Sequence, residues 1–191
     1  MKNDRLANAV LYLLRGSPDA GLTKLLKLIY FSDYHHYRDH LCTITGANYV
    51  ARARGPVLEN YQDEFDELER RGFIATRKVP VVGHPDNPKV EYLRLGEPAP
   101  DAFTAAERVT LDDVLLRYGS KSGVELSDMT HEELAPWKLV WDKSAPGARI
   151  PFALFRWLDN YADDRDVETA KKRAEAPEIK AALAEAMADV G

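Results

Sequence analysis

Residues 22–41, LTKLLKLIYFSDYHHYRDHL, decide the fold. Leu22, Leu25, Leu26, Ile29, Tyr37 and Leu41 recur at helical spacing, and Leu28 and Phe31 add a second apolar face. A helix that is apolar on more than one side must be packed on more than one side, so this one is expected at the centre of the molecule. The same stretch gathers Asp33, His35, His36, Arg38, Asp39 and His40, so packing and chemistry compete for it.

Working outward, residues 4–15 place Leu6, Val10, Leu13 and Leu14 on one side of a first helix that Gly16-Ser17-Pro18 stops. Lys2 and Arg5 ahead of this apolar run mimic a signal peptide, but the run is short, broken by Asn8 and without a small-residue cleavage pattern. Beyond the central helix, Cys42 to Arg54 reads as irregular to extended, with Ile44, Tyr49 and Val50 as core contacts. Gly55-Pro56 reads as a helix start, because proline is tolerated where its missing N–H costs nothing. The helix expected over 56–71 has Val57, Leu58, Tyr61, Phe65 and Leu68 inside, and Glu59, Asp63, Glu64, Asp66, Glu67 and Glu69 outside.

Residues 73–82 and 89–95 read as a β-hairpin about the turn cluster GHPDNP, with Pro80 confining the first strand to an edge or ending it early. Thr104 with Glu107 and Ser122 with Glu125 match capping boxes, each opening a helix. Pro136 opens another, with Trp137 and Trp141 one turn apart, and Ile150-Pro151 a further one carrying Leu154, Trp157, Leu158 and Tyr161. From Asp163 the composition turns to Ala, Lys and Glu, leaving a narrow stripe of Ile179, Leu183, Met187 and Val190. The expected fold is α+β and predominantly α-helical: a compact helical domain over 1–163 with one β-hairpin, and an alanine-rich helical extension over 164–191.

Composition bounds the function. Among 191 residues, 45% are hydrophobic and 30% charged, which fits one core with an appended element. The single Cys42 excludes an internal disulfide framework and agrees with a reducing cytosol, so the chain is expected to be cytoplasmic. No stretch approaches the roughly 20 apolar residues of a membrane span. Residues 1–55 carry eight Lys/Arg against four Asp/Glu, while the whole chain is at −5. Such a dipolar surface steers a charged protein partner better than it grips a polyanion, so nucleic acid is not the expected ligand.

Three chemistries are weighed on the residues. Asp33, His36 and His40 share a helix face and could ligate zinc, but Arg38 between the histidines opposes a cation, and a structural or surface role is preferred. The helix–helix–helix–hairpin order allows a winged-helix DNA reader, against which stand six carboxylates on the would-be reading helix. No phosphate loop, nucleophile elbow or activated nucleophile is recognisable, so no catalytic residue, metal or cofactor is assigned and the chain is not expected to be an enzyme. A binding role places Glu59, Asp63 and Glu67 on the acidic face, and Ile179, Leu183 and Met187 on the C-terminal stripe, as partner contacts.

Several strings in order carry a resemblance: LTKLLKLIYFSDYHHYRDH, TITGANYVARARGPVLENYQDEFDEL, RGFI, ELSDMTHEELAPWKLVW and GARIPFALFRWL. Together, over about residues 4–162, they resemble the Panacea domain of SocA-like bacterial antitoxins. The match rests on Lys24, Lys27, Tyr30 and Asp33, on the Ile44-Thr45-Gly46 turn, on Gly55 and Pro56, and on Thr130, His131 and Trp137. The resemblance implies an antitoxin that neutralises a cognate protein toxin by direct contact, and in the SocA type delivers it to the ClpXP protease. It implies no catalytic residues.

Overall fold

The computed structural model describes residues 4–81, 83–132 and 135–157, together with positions 177, 180, 181 and 184. α1 (Asp4–Gly16) leads through the Ser17-Pro18 turn into α2 (Leu22–His40). Every residue of α2 from Lys24 to His36 is buried. The dual apolar face has that consequence, because α1, three of the later helices and one strand of each hairpin pack against α2.

Leu41 ends α2 in the left-handed region at φ 59°, turning the chain into an irregular loop and then β1 (Tyr49–Arg52). Here the structure departs from expectation. Gly55-Pro56 does not start a helix but opens a strand, β2 (Gly55–Leu58), paired antiparallel with β1 from Tyr49↔Leu58 to Arg52↔Gly55. α3 (Tyr61–Arg70) begins only afterwards. The described residues therefore carry two hairpins rather than one. The mainly helical α+β class stands.

The second hairpin joins β3 (Ile74–Val81) to β4 (His84–Arg94). Its turn lies at residue 83, so His84 to Pro88, expected as a turn, continue the strand instead. Prolines are tolerated on a two-stranded ribbon because each strand has an edge that needs no N–H donor. Pro80 falls where the register shifts between Val79 and Val81.

α4 (Ala105–Tyr118) and α5 (Gly123–Thr130) start at Thr104 and Ser122, and both capping boxes form reciprocally. α6 (Pro136–Lys143) carries its proline in the first turn, and α7 (Ala153–Trp157) closes the described domain. An aromatic core fills the space between α2, β1 and α7. Tyr30 meets Tyr49 edge-on at 5.3 Å and Phe155 at 5.4 Å. Trp137 is buried and Trp141 packs on it at 5.3 Å, in accord with a core role. The side chains of Trp157, Leu158 and Tyr161 lie outside the described residues. So does the stripe of Ile179, Leu183, Met187 and Val190, where only Pro177, Lys180, Ala181 and Ala184 are described, as helical and exposed.

Candidate partner-binding site around a buried lysine

Lys27 sits on the second turn of α2 and is 1% exposed. Its Nζ donates to the Pro56 carbonyl at 2.9 Å, fastening β2 to α2. No carboxylate pairs with it among the described residues, and burial pushes its ammonium down from 10.5 to about 7. A lysine buried without a counter-charge is costly, so its environment must hold it for a reason.

Gly55 explains why the hairpin can close over it. Its φ is +99°, which an L side chain resists, and a Cβ there would overlap Lys27 Nζ and Thr130 Oγ1. Thr130 Oγ1 donates to Ser127 O at 2.7 Å, and the next residue, His131, stacks its ring on Trp137 at 4.1 Å between centroids. Trp137 Nε1 in turn donates to Arg52 O at 2.9 Å, tying α6 to the hairpin turn. His131 Nε2 is buried with no hydrogen-bond partner among the described residues, and desolvation, helped by the Lys27 charge, holds its imidazole below the usual value. Thus Lys27, Gly55, Pro56, Thr130, His131 and Trp137, scattered over 110 positions of sequence, form one constellation.

Above it opens a cleft of about 550 Å³ between the first turns of α2, the β1–β2 turn and the start of α3. Leu22, Leu26 and Val57 form its apolar wall, and Thr23, Tyr61 and Gln62 add polar groups. Lys27, Arg52 and Arg54 are its basic groups, and among the described residues no carboxylate lines it. Both arginines are exposed, and neither makes an ion pair among the described residues. Sequence reading passed over this cleft. The available signal was the alternation of arginines in the string Arg52-Ala53-Arg54 just before a glycine that forces a turn.

Lys24, one turn before Lys27, points elsewhere and pairs with Asp19 at 3.0 Å. Asp33 is wholly buried and works as a staple: it accepts from Ile44 N at 2.7 Å, Thr45 N at 2.9 Å, Tyr49 OH at 2.6 Å and the Thr45 hydroxyl. Burial lifts its carboxyl above the usual range against the pull of those donors. The ITG turn is thereby pinned to α2, and Tyr49 links Asp33 to Tyr30.

The histidines of α2 do not assemble with Asp33. His35 shares a 2.9 Å hydrogen bond with Tyr118 OH and stacks on that ring, and burial pushes it down to about 4. His36 bonds Thr110 Oγ1 at 3.0 Å, and only His40 is exposed. His35 and His36 are therefore core histidines, which is the structural half of the role expected for them, while His40 lies at the surface. Among the described residues no group of three or more His, Cys, Asp or Glu could hold a metal ion.

The acidic face is partly committed to internal pairs. Glu59 lies just before α3 and pairs with Arg149 at 3.0 Å, and Glu67 pairs with Arg70 at 2.7 Å. Asp63 and Asp66 are exposed on the same helix. No described helix is long and apolar enough to cross a membrane.

The described fold is a mainly helical α+β domain whose motif residues build one buried constellation around Lys27 under an open cleft. The family model for the SocA-like antitoxin, Panacea domain, matches residues 25–138, and the chain belongs to that family. A search of curated proteins and one of solved structures returned no match.

Proposed function

We propose that the protein is the antitoxin of a toxin–antitoxin pair and neutralises a protein toxin by direct contact. The observation that carries this reading is the family match over residues 25–138, which spans α2 to the start of α6 and so includes the whole Lys27 constellation. The finer steps belong to the same proposal: delivery of the bound toxin to ClpXP, action in the cytoplasm, and a division at residue 163 between the binding domain and a tail.

Co-expression with the product of the neighbouring gene tests it. Expression of that gene alone should arrest growth, and this chain should restore growth and co-purify with its product. Toxicity that persists with both proteins soluble and unassociated would reject the reading. Repeating the rescue in cells lacking ClpX separates the two modes: rescue that survives speaks for occlusion, and rescue that is lost speaks for delivery. The acidic face is proposed as one contact. Reversing Glu59, Asp63 and Glu67 to Lys should slow association with the toxin at low salt by about tenfold while leaving the thermal transition cooperative. Association that is unchanged and insensitive to salt would remove that face from the interface.

A further inference from the structure

The cleft above Lys27 combines an apolar wall with two exposed arginines and the buried lysine, and among the described residues no carboxylate lines it. Its volume is that of a ligand pocket, and its two arginines stand exposed with no carboxylate to satisfy them among the described residues. Guanidinium groups left open beside apolar surface are the usual anchors of protein interfaces, because they pair with carboxylates in a fixed geometry and tolerate partial desolvation. The polarity of the surroundings narrows the occupant further. α3 begins at the cleft with Tyr61 and Gln62 and continues through Asp63, Glu64, Asp66, Glu67 and Glu69. A phosphate backbone laid along the cleft would run into those carboxylates, whereas a short segment with one or two acids fits the cationic patch alone.

We propose that this cleft is the docking site for an acidic segment of the protein partner, whose carboxylate pairs with Arg52 and Arg54 while a neighbouring apolar side chain rests on Leu22, Leu26 and Val57. The identity of the partner as a toxin rests on the function proposed above; the acidic character of the segment rests on the cleft. Lys27 adds a buried donor at the cleft, already oriented by the Pro56 carbonyl. Trp137, bonded to Arg52 O, and Gly55, closed over Lys27, hold the turn that presents both arginines.

The test uses the full chain and two probes: the product of the neighbouring gene, and a fluorescent peptide alternating leucine and glutamate with its glutamine counterpart. Arg52→Glu with Arg54→Glu is compared with Lys78→Glu and Lys121→Glu, which make the same change in net charge elsewhere on the surface. The cleft variant is expected to lose at least about tenfold in affinity for the toxin and for the glutamate peptide, the control to match wild type, and the glutamine peptide to bind at least about tenfold more weakly than the glutamate one. Thermal melts verify that both variants fold. Equal toxin binding by wild type and the cleft variant overturns the docking site while leaving the antitoxin reading intact. Failure of wild type to bind the toxin, with the glutamate peptide still lost on reversal of Arg52 and Arg54, rejects the toxin and keeps the acidic ligand. Indifference of both probes to that reversal, or tighter binding of a duplex oligonucleotide than of the glutamate peptide, overturns the proposal.

Discussion

Two buried charges on one helix meet opposite fates. Asp33 is surrounded by donors, so removing its acceptors strands buried N–H and O–H groups, each worth about 1–3 kcal/mol. Asp33→Ala should therefore cost about 3 kcal/mol or more, a fall in Tm of roughly 10 °C for a chain of this size. Asp33→Asn should stay within about 1 kcal/mol of wild type, because the amide oxygen can serve Ile44 N and Thr45 N while its NH2 turns to the two hydroxyls. Equal losses in both variants by thermal melt would refute the staple.

Lys27 is the reverse case. With the folded-state value near 7 and the unfolded value near 10.5, both states are protonated below pH 7, where the full cost of burying the charge is felt. Between pH 7 and 10.5 the unfolded chain holds the proton that the folded one has released, so stability rises with pH across that window. Lys27→Met should accordingly raise stability at pH 6–7 by a few kcal/mol at most, with the advantage shrinking toward pH 10. Denaturant titrations at the two ends of the range measure this directly. A constant offset would show that the amine is not the source.

Among the elements, those whose signals are local were readable from the chain. Thr104 with Glu107 and Ser122 with Glu125 place helix starts because each box closes within three residues. α2 was readable for a related reason: its two apolar faces are visible in twenty consecutive letters. The first hairpin was not, because Gly55-Pro56 satisfies the rules for a helix start equally well. What decides between the two is a positive φ and a lysine 28 positions earlier, and neither leaves a mark in the local sequence. Gly55→Ala should expose the dependence, costing about 2 kcal/mol or more through backbone strain and displacement of Lys27. A neutral effect on the unfolding midpoint would mean that the turn relaxes freely. The cleft was missed for a related reason: Arg52 and Arg54 stand together in the string, but only tertiary contacts bring them beside Lys27 and the apolar wall of α2, whereas the acidic run of α3 stands in plain view.

For the whole molecule, the family strings pointed to a class that the family match then established, and the order of those strings mattered more than any single residue. The tail is the part for which pattern alone speaks. Deletion of residues 176–191 should leave the melting transition of the domain intact and weaken toxin binding or its delivery. Full neutralisation by the shortened chain would show that the stripe serves neither.

The packing of α1 and α7 on α2 also has a mechanical meaning. α1 buries eight residues from Leu6 to Leu14, while α7 seats Leu154 and Phe155 in the aromatic core. Among the described residues, a pull entering through α1 or through α7 thus meets the buried core within about one turn of helix. If this protein escorts its partner to an ATP-driven unfoldase, that architecture gives it the means to survive the journey: the escort resists extraction while the cargo is spooled in.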